Sequence, residues 1–158
     1  MTTTTTKVET KWDAKKTAER NASILAATWV SAYEVISKLD QKALQEFSDK
    51  LTQHKLNYYK TLNIKTPMDL IKAIGETEHN VFGSEMEISG DDKKATLKYL
   101  SCGMWNASEK LCAGKFSQEE EQKMGEQCSA SWAKIGKEFG FNFEPKMSKD
   151  SWELTFSK

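Results

Sequence analysis

Three cysteines (Cys102, Cys112 and Cys128) and two histidines (His54 and His79) are the side chains of this sequence best suited to nucleophilic or ligand chemistry. Cys102 stands in Ser101-Cys102-Gly103 at the expected exit of a strand, where backbones open to substrates and the glycine permits close approach. Cys128 falls on the apolar face of a helix, where a small sulfur-bearing core residue is the plain alternative to a nucleophile facing a cavity. Cys112 sits near a helix end and reads as incidental. His54 shares its helical face with Leu51 and Tyr58, so a hydrogen-bonded core histidine stands beside the reading as a base. His79, between Glu78 and Asn80 at a helix end, is explained by the helix dipole.

Were a thiol and an imidazole to converge, the histidine would take the thiol proton and the thiolate would attack the electron-poor carbon of a carbonyl or amidine. The catalytic candidates are therefore Cys102, Cys128 and His54. Trp105, Trp132, Tyr58 and Trp29 are the candidates for lining an apolar pocket, with core packing as their commoner use. The cysteines form an odd set without CxxC spacing, so neither a disulfide framework nor a zinc site is expected. A haem reading stays open, because a histidine or cysteine facing an aromatic-lined cavity is what an axial ligand requires, yet no CxxCH motif supports it. No cofactor is specified. Glu119, Glu120 and Glu121 read as a solvated first helical turn, and Asp91 and Asp92 as turn residues.

The elements that must position these groups follow from periodicity. Ala18, Ala22, Leu25, Trp29, Tyr33 and Ile36 recur at three- and four-residue steps and predict a helix over about residues 13 to 39, ended by a turn at Asp40. Leu44, Phe47, Leu51, His54, Tyr58 and Leu62 predict a second over about 41 to 62. Thr66-Pro67-Met68-Asp69 reads as an N-cap, a first-turn proline and a capping acid, opening a helix through about residue 78. Alternation then takes over: Phe82, Met86 and Ile88, then Ala95, Leu97 and Tyr99, predict a β-hairpin over 82 to 100 with its turn at Gly90-Asp91-Asp92. A short helix or loop over 103 to 111 and a capping box at Ser117-Gln118-Glu119-Glu120 follow. That box opens a long helix whose inner face reads Met124, Cys128, Trp132, Ile135 and Phe139. Gly140 stops it, and a second hairpin turns near residues 148 to 150.

The fold expected is α+β, with N-terminal helices and a long C-terminal helix packed on a small antiparallel sheet made of two hairpins. The threonine-rich residues 1 to 12 read as a flexible tail, and 13 to 158 as a single domain. Lysine plus arginine and aspartate plus glutamate both total 23, so nothing in the net charge would gather a polyanion and no nucleic-acid partner is expected. Arg20 is the sole arginine, which leaves few two-point grips for phosphate. No run of about 18 apolar residues would span a bilayer, and residues 1 to 7 hold no apolar signal core. A cytoplasmic protein with reduced thiols is expected, its partner a small-molecule ligand or substrate and a homodimer among its expected assemblies.

Cys102, then Trp105, a short helix, Cys128 within a helix, Phe139-Gly140-Phe141 and a last hairpin with a turn at Lys149-Asp150-Ser151 together resemble the L-2-amino-thiazoline-4-carboxylic acid hydrolase family. More distantly they resemble the vinyl-reductase-like small-molecule-binding domains. The resemblance covers residues 20 to 158 in layout. Cys102 and Cys128 match the family's first two cysteines; a third, expected in the last hairpin, is replaced by Asp150-Ser151-Trp152-Glu153-Leu154, and the proline that often follows the first cysteine is Gly103. The hydrolase resemblance implies a cysteine-dependent hydrolase that opens a thiazoline-like ring at a cyclic C–N bond. The vinyl-reductase-like resemblance implies non-catalytic binding of a hydrophobic or tetrapyrrole-like, haem-like ligand.

Overall fold

Five helices and four strands occur among the residues that the computed structural model describes, 12–112, 117–147 and 151–158. The expected turn at 148 to 150, and the expected tail apart from Trp12, lie outside these residues. Helix α1 (Ala14–Leu39) starts where the Asp13 carboxylate accepts the Lys16 N–H at 2.8 Å. Asp40 both ends α1 and starts α2 (Gln41–Lys60): its N–H donates to the Ile36 carbonyl at 3.1 Å, and its carboxylate accepts the Lys42 N–H at 2.9 Å. The chain redirects within one residue because that side chain satisfies the orphan donors of the new helix.

Helix α3 (Pro67–Phe82) opens with the expected reciprocal cap, Thr66 Oγ1 accepting from Asp69 N at 3.2 Å and Asp69 Oδ2 accepting from Thr66 N at 2.9 Å. It ends at Gly83, whose φ of 66° is left-handed. Phe82 therefore closes a helix and does not begin a strand. The strand starts about one helical turn later than the alternation predicts, because Val81 and Phe82 extend the apolar pattern of α3 up to the glycine that stops it.

Strands β1 (Glu85–Gly90) and β2 (Lys94–Ser101) form the first hairpin, its turn tied by Asp91 Oδ1 accepting the N–H groups of Lys93 and Lys94 at 2.7 and 3.0 Å. After α4 (Gly103–Cys112) the long helix α5 (Gln118–Glu138) starts at the Ser117–Glu120 capping box. It runs out at Gly140, with φ 75°, where Phe141 N–H returns to the Gly136 carbonyl at 2.9 Å. Strands β3 (Asn142–Met147) and β4 (Trp152–Ser157) form the second hairpin. The two hairpins join into one antiparallel sheet in the order β1-β2-β4-β3, which leaves β1 and β3 as edges; β3 contains Pro145.

Register decides which face is buried. Leu97 pairs with Leu154 and Ala95 with Phe156, and these four, with Tyr99, turn toward the helices and are buried. On the other face Thr96 and Thr155 share a 2.9 Å hydroxyl contact. Leu70, Ile71 and Ile74 of α3, Trp132 and Ile135 of α5, and Leu56 and Tyr59 of α2 complete the core. Each fully buried aliphatic side chain here is worth about 1.5–3 kcal/mol. Gly136 is part of that packing, since a Cβ there would come within 2.6 Å of the Phe156 ring.

The buried faces of α1 and α2 differ from the expected stripes. In α1 the inward residues are Ala18, Ala22, Ala26, Val30 and Tyr33, and Leu25 is 43% exposed. In α2 they are Leu44, Thr52, Leu56 and Tyr59, which turns His54, Leu51 and Tyr58 outward. Two stripes one position apart compete in α2. The one that wins contains Thr52, whose hydroxyl is satisfied by the Ser48 carbonyl at 3.0 Å and by Ser131 Oγ at 2.9 Å on α5. No described helix is long and apolar enough to cross a membrane.

Candidate functional site

Cys102 follows β2 directly, and its carbonyl accepts the Asn106 N–H at 2.9 Å, the first helical bond of α4. The thiol thus lies at a helix N-terminus. Burial pushes its pKa up; backbone N–H groups of Trp105 and Met104 and the Ser84 side chain pull it down, but burial prevails. Gly103 serves the scaffold: a Cβ there would run into the Phe82 carbonyl, so α4 starts hard against the end of α3. Its N–H donates to Ser84 Oγ at 3.0 Å.

Ser84 in turn contacts Glu78 Oε2 at 3.5 Å, near the end of α3. Glu78 is buried, and burial raises its pKa against the opposing effects of Lys55 and of hydrogen bonds from Ser84 and Tyr99. Tyr99 is held well above the usual phenol value, first by burial and then by Glu78, Cys102 and Cys128. Burial likewise raises Tyr59 on the facing helix, opposed by a hydrogen bond to Thr77.

Cys128, on α5, completes this neighbourhood. Burial pushes its pKa up to about 12; Lys55 lowers it, and Glu78 and Cys102 add to the rise. Lys55 Nζ sits 4.9 Å from the centre of the Trp132 ring. The Trp132 indole N–H is buried without a hydrogen-bond partner of good geometry, yet lies near enough to the Cys128 sulfur to favour its ionised form weakly. At pH 7 a thiol of that pKa is ionised in about one molecule in 10⁵. Among the described residues no hydrogen bond joins either histidine to either thiol, and His54 is exposed. Both cysteines pack against the main core.

The named aromatics separate. Trp132 is 1% exposed and belongs to the core. Trp29 joins Tyr33, Ile36, Leu44 and Met124 in a second, smaller cluster. Trp105 is 40% exposed on α4, and Tyr58 is 51% exposed.

Two open clefts flank the outer face of α3. The first, about 310 Å³, is lined by Lys72, Glu76, His79 and Asn80 over Gly75, Met86 and Ile88. The second, about 420 Å³, is lined by Tyr58, Glu76, Thr77, Asn80 and Val81. Glu76 and Asn80 line both and stand between them, the first cleft opening toward β1 and the second toward Tyr58 of α2, and neither is lined by Cys102 or Cys128. His79 Nδ1 lies 3.0 Å from the Ser84 carbonyl. A carbonyl oxygen only accepts, so Nδ1 carries the proton and Nε2 is left as the acceptor of the neutral ring.

Sequence reasoning named Tyr58 but missed Lys72, Glu76, His79 and Asn80 as a group. The available signal was their spacing at i, i+4, i+7 and i+8, which puts them on the polar side of α3. Among the described residues no group of three or more His, Cys, Asp or Glu is placed to hold a metal ion. Compared with known proteins, the chain matches no family model and no curated protein.

Proposed function

We propose that this chain is a non-catalytic, vinyl-reductase-like domain that binds an apolar, tetrapyrrole-like small molecule in the cleft between α3 and β1. The observation that carries this reading is the His79–Ser84 hydrogen bond, which sets the imidazole tautomer and leaves Nε2, beside the apolar Met86 and Ile88, as the atom that would hold the ligand's metal. Lys72, in the same cleft, offers a cation to a ligand carboxylate. Titration with ferric protoporphyrin tests it. A saturable Soret shift that is lost in His79→Ala, with the far-UV circular dichroism unchanged, supports the proposal; no saturable shift with the wild-type chain removes it.

The cysteine-dependent hydrolase is the second reading, favoured by the N–H groups of Met104 and Trp105 directed at the Cys102 sulfur from the start of α4. Donors of that kind stabilise a thiolate, which would add to the carbon of a thiazoline-like C=N bond while the π pair passes to the nitrogen and is protonated; departure of that nitrogen then breaks the ring C–N bond, and water hydrolyses the remaining C–S bond to the enzyme, returning the thiol. Its test is a thiol-reactivity profile. Fast alkylation of Cys102 below about pH 7 supports catalysis, while uniformly slow thiols favour the binding reading.

A further inference from the structure

The outer face of the sheet carries a row of alternating charge that ends, open, at β1. The register pairs Lys146 with Glu153, Glu153 with Lys98 and Lys98 with Glu87, so the four strands read basic, acidic, basic, acidic from the β3 edge to the β1 edge. Lys146 Nζ and Glu153 Oε2 lie 3.7 Å apart. Opposite charges facing each other across neighbouring strands attract, and like charges repel. Glu87, the last of the row, is exposed and belongs to a strand hydrogen-bonded to β2 alone among the described strands. On the inner face of the same strand, Met86 and Ile88 line the cleft of about 310 Å³ that opens between α3 and β1, and Ile88 is 42% exposed. β1 holds no proline, so alternate residues present backbone N–H and C=O groups along its free margin.

We infer that the free edge of β1 docks an extended segment of another protein, added as a fifth strand, in which a lysine or arginine facing Glu87 is flanked on both sides by apolar residues. The two-residue period of a strand joins these demands into one pattern. A side chain opposite Glu87 stands on the outer face, where it continues the charge row, and its two neighbours turn to the inner face, beside Met86 and Ile88. Charge also selects the occupant. β1 contributes Glu85 and Glu87 and no basic residue, and Asp91 and Asp92 follow in the turn. A second copy therefore fits poorly: with both helical layers on one side, the two antiparallel registers of greatest overlap set Glu87 on Glu87, or Glu85 on Asp91 at both ends. The inference does not rest on the tetrapyrrole reading, and a ligand filling the cleft would compete with the segment for Met86 and Ile88.

The test is a titration of the isotope-labelled whole chain, followed through its amide resonances, with the synthetic peptide Ser-Thr-Val-Lys-Val-Thr-Ser, acetylated and amidated at its ends. Saturable shifts are expected at residues 85 to 90 and at Gly75 across the cleft, with a dissociation constant on the order of 100 μM. Replacing the peptide lysine by glutamate should weaken binding about fivefold, and Glu87→Lys should reverse the preference between the two peptides. Glu87 is exposed, and a cooperative melt confirms that the variant folds. Only alternate amides of an added strand face β1, so methylating one alternate set of peptide nitrogens should abolish binding, while methylating the other should leave it within about twofold. No saturable shift at up to about 1 mM peptide overturns the inference, as do shifts confined to residues outside β1 and the cleft, or equal losses from both methylated sets. Lysine and glutamate peptides that bind alike overturn the basic pattern. Shifts at residues 85 to 90 that follow protein concentration alone would give the edge to a second copy and overturn the choice of partner.

Discussion

Cys128 gives the sharpest quantitative test of the buried cluster, because its thiol is held protonated far above its ordinary value. Unfolded, it ionises around 9.0; folded, at about 12. A folded-state pKa raised in this way contributes stability that is fully present below the unfolded value and is lost as pH rises toward the folded one. From about pH 7 to about pH 10 the unfolded thiol ionises and the folded one does not, which costs about 1.4 kcal/mol; carried to pH 12 the loss approaches about 4 kcal/mol. Cys128→Ala removes this contribution, while its packing cost is the same at every pH. Urea denaturation of both proteins under reducing conditions, at about pH 7 and pH 10, should therefore show the gap between them narrowing by about 1.4 kcal/mol at the higher pH. Tyr59, Tyr99 and Cys102 also resist ionisation, but they are present in both proteins and cancel in the comparison. Parallel pH dependences would refute the reasoning, as would thiolate absorbance in the folded wild type rising by two equivalents around pH 9.

Three further outcomes follow from the contacts around α3 and α4. Ser84→Ala deprives the Gly103 N–H of its acceptor and Glu78 of a donor, and should cost about 1–3 kcal/mol in chemical denaturation. Gly103→Ala drives a Cβ into the Phe82 carbonyl, and either backbone must move; a loss of about 3 kcal/mol or more is expected, seen as a much lowered melting temperature or failure to recover folded protein. Asp69 is held below the usual carboxylate value by the Lys65 N–H and then by Thr66, so it stabilises the fold above its unfolded pKa and loses that contribution as pH falls. Asp69→Asn should flatten the acid limb of the stability curve, and an unchanged limb would mean that the capping box does not sense that charge.

Where one residue type satisfies a local demand, the fold was legible in the sequence. Thr66 with Asp69, and Ser117 with Glu120, cap helices by chemistry that acts over three residues, and both caps form as read. The alternation of Ala95, Leu97 and Tyr99 marks a face, and that face is buried. What could not be read locally was the choice between neighbouring stripes on α1 and α2. There the deciding contacts, such as Thr52 with Ser131, span 79 positions. The site divides in the same way. Cys102 and Cys128 were singled out by residue type, and the structure places both where the charge of Glu78 acts on them. Glu78 itself went unnoticed, since a carboxylate near a helix end reads as solvated until Ser84, Tyr99 and Lys55 arrive from elsewhere in the chain. Register alone turns His54 to the exposed side of α2. His79, explained away by the helix dipole, acquires its fixed tautomer from a carbonyl five residues on.

The two open sides of the sheet are not equivalent. Pro145 has no N–H to offer a further strand, so recruitment of extra backbone along β3 is interrupted near its middle, whereas Glu85–Gly90 presents a border free of proline. Growth by strand addition therefore has one usable margin, and two molecules that met along it would each have spent theirs. Such pairing ends at a closed couple instead of propagating into a ribbon, a safeguard against cross-β stacking that costs the chain a single imino acid.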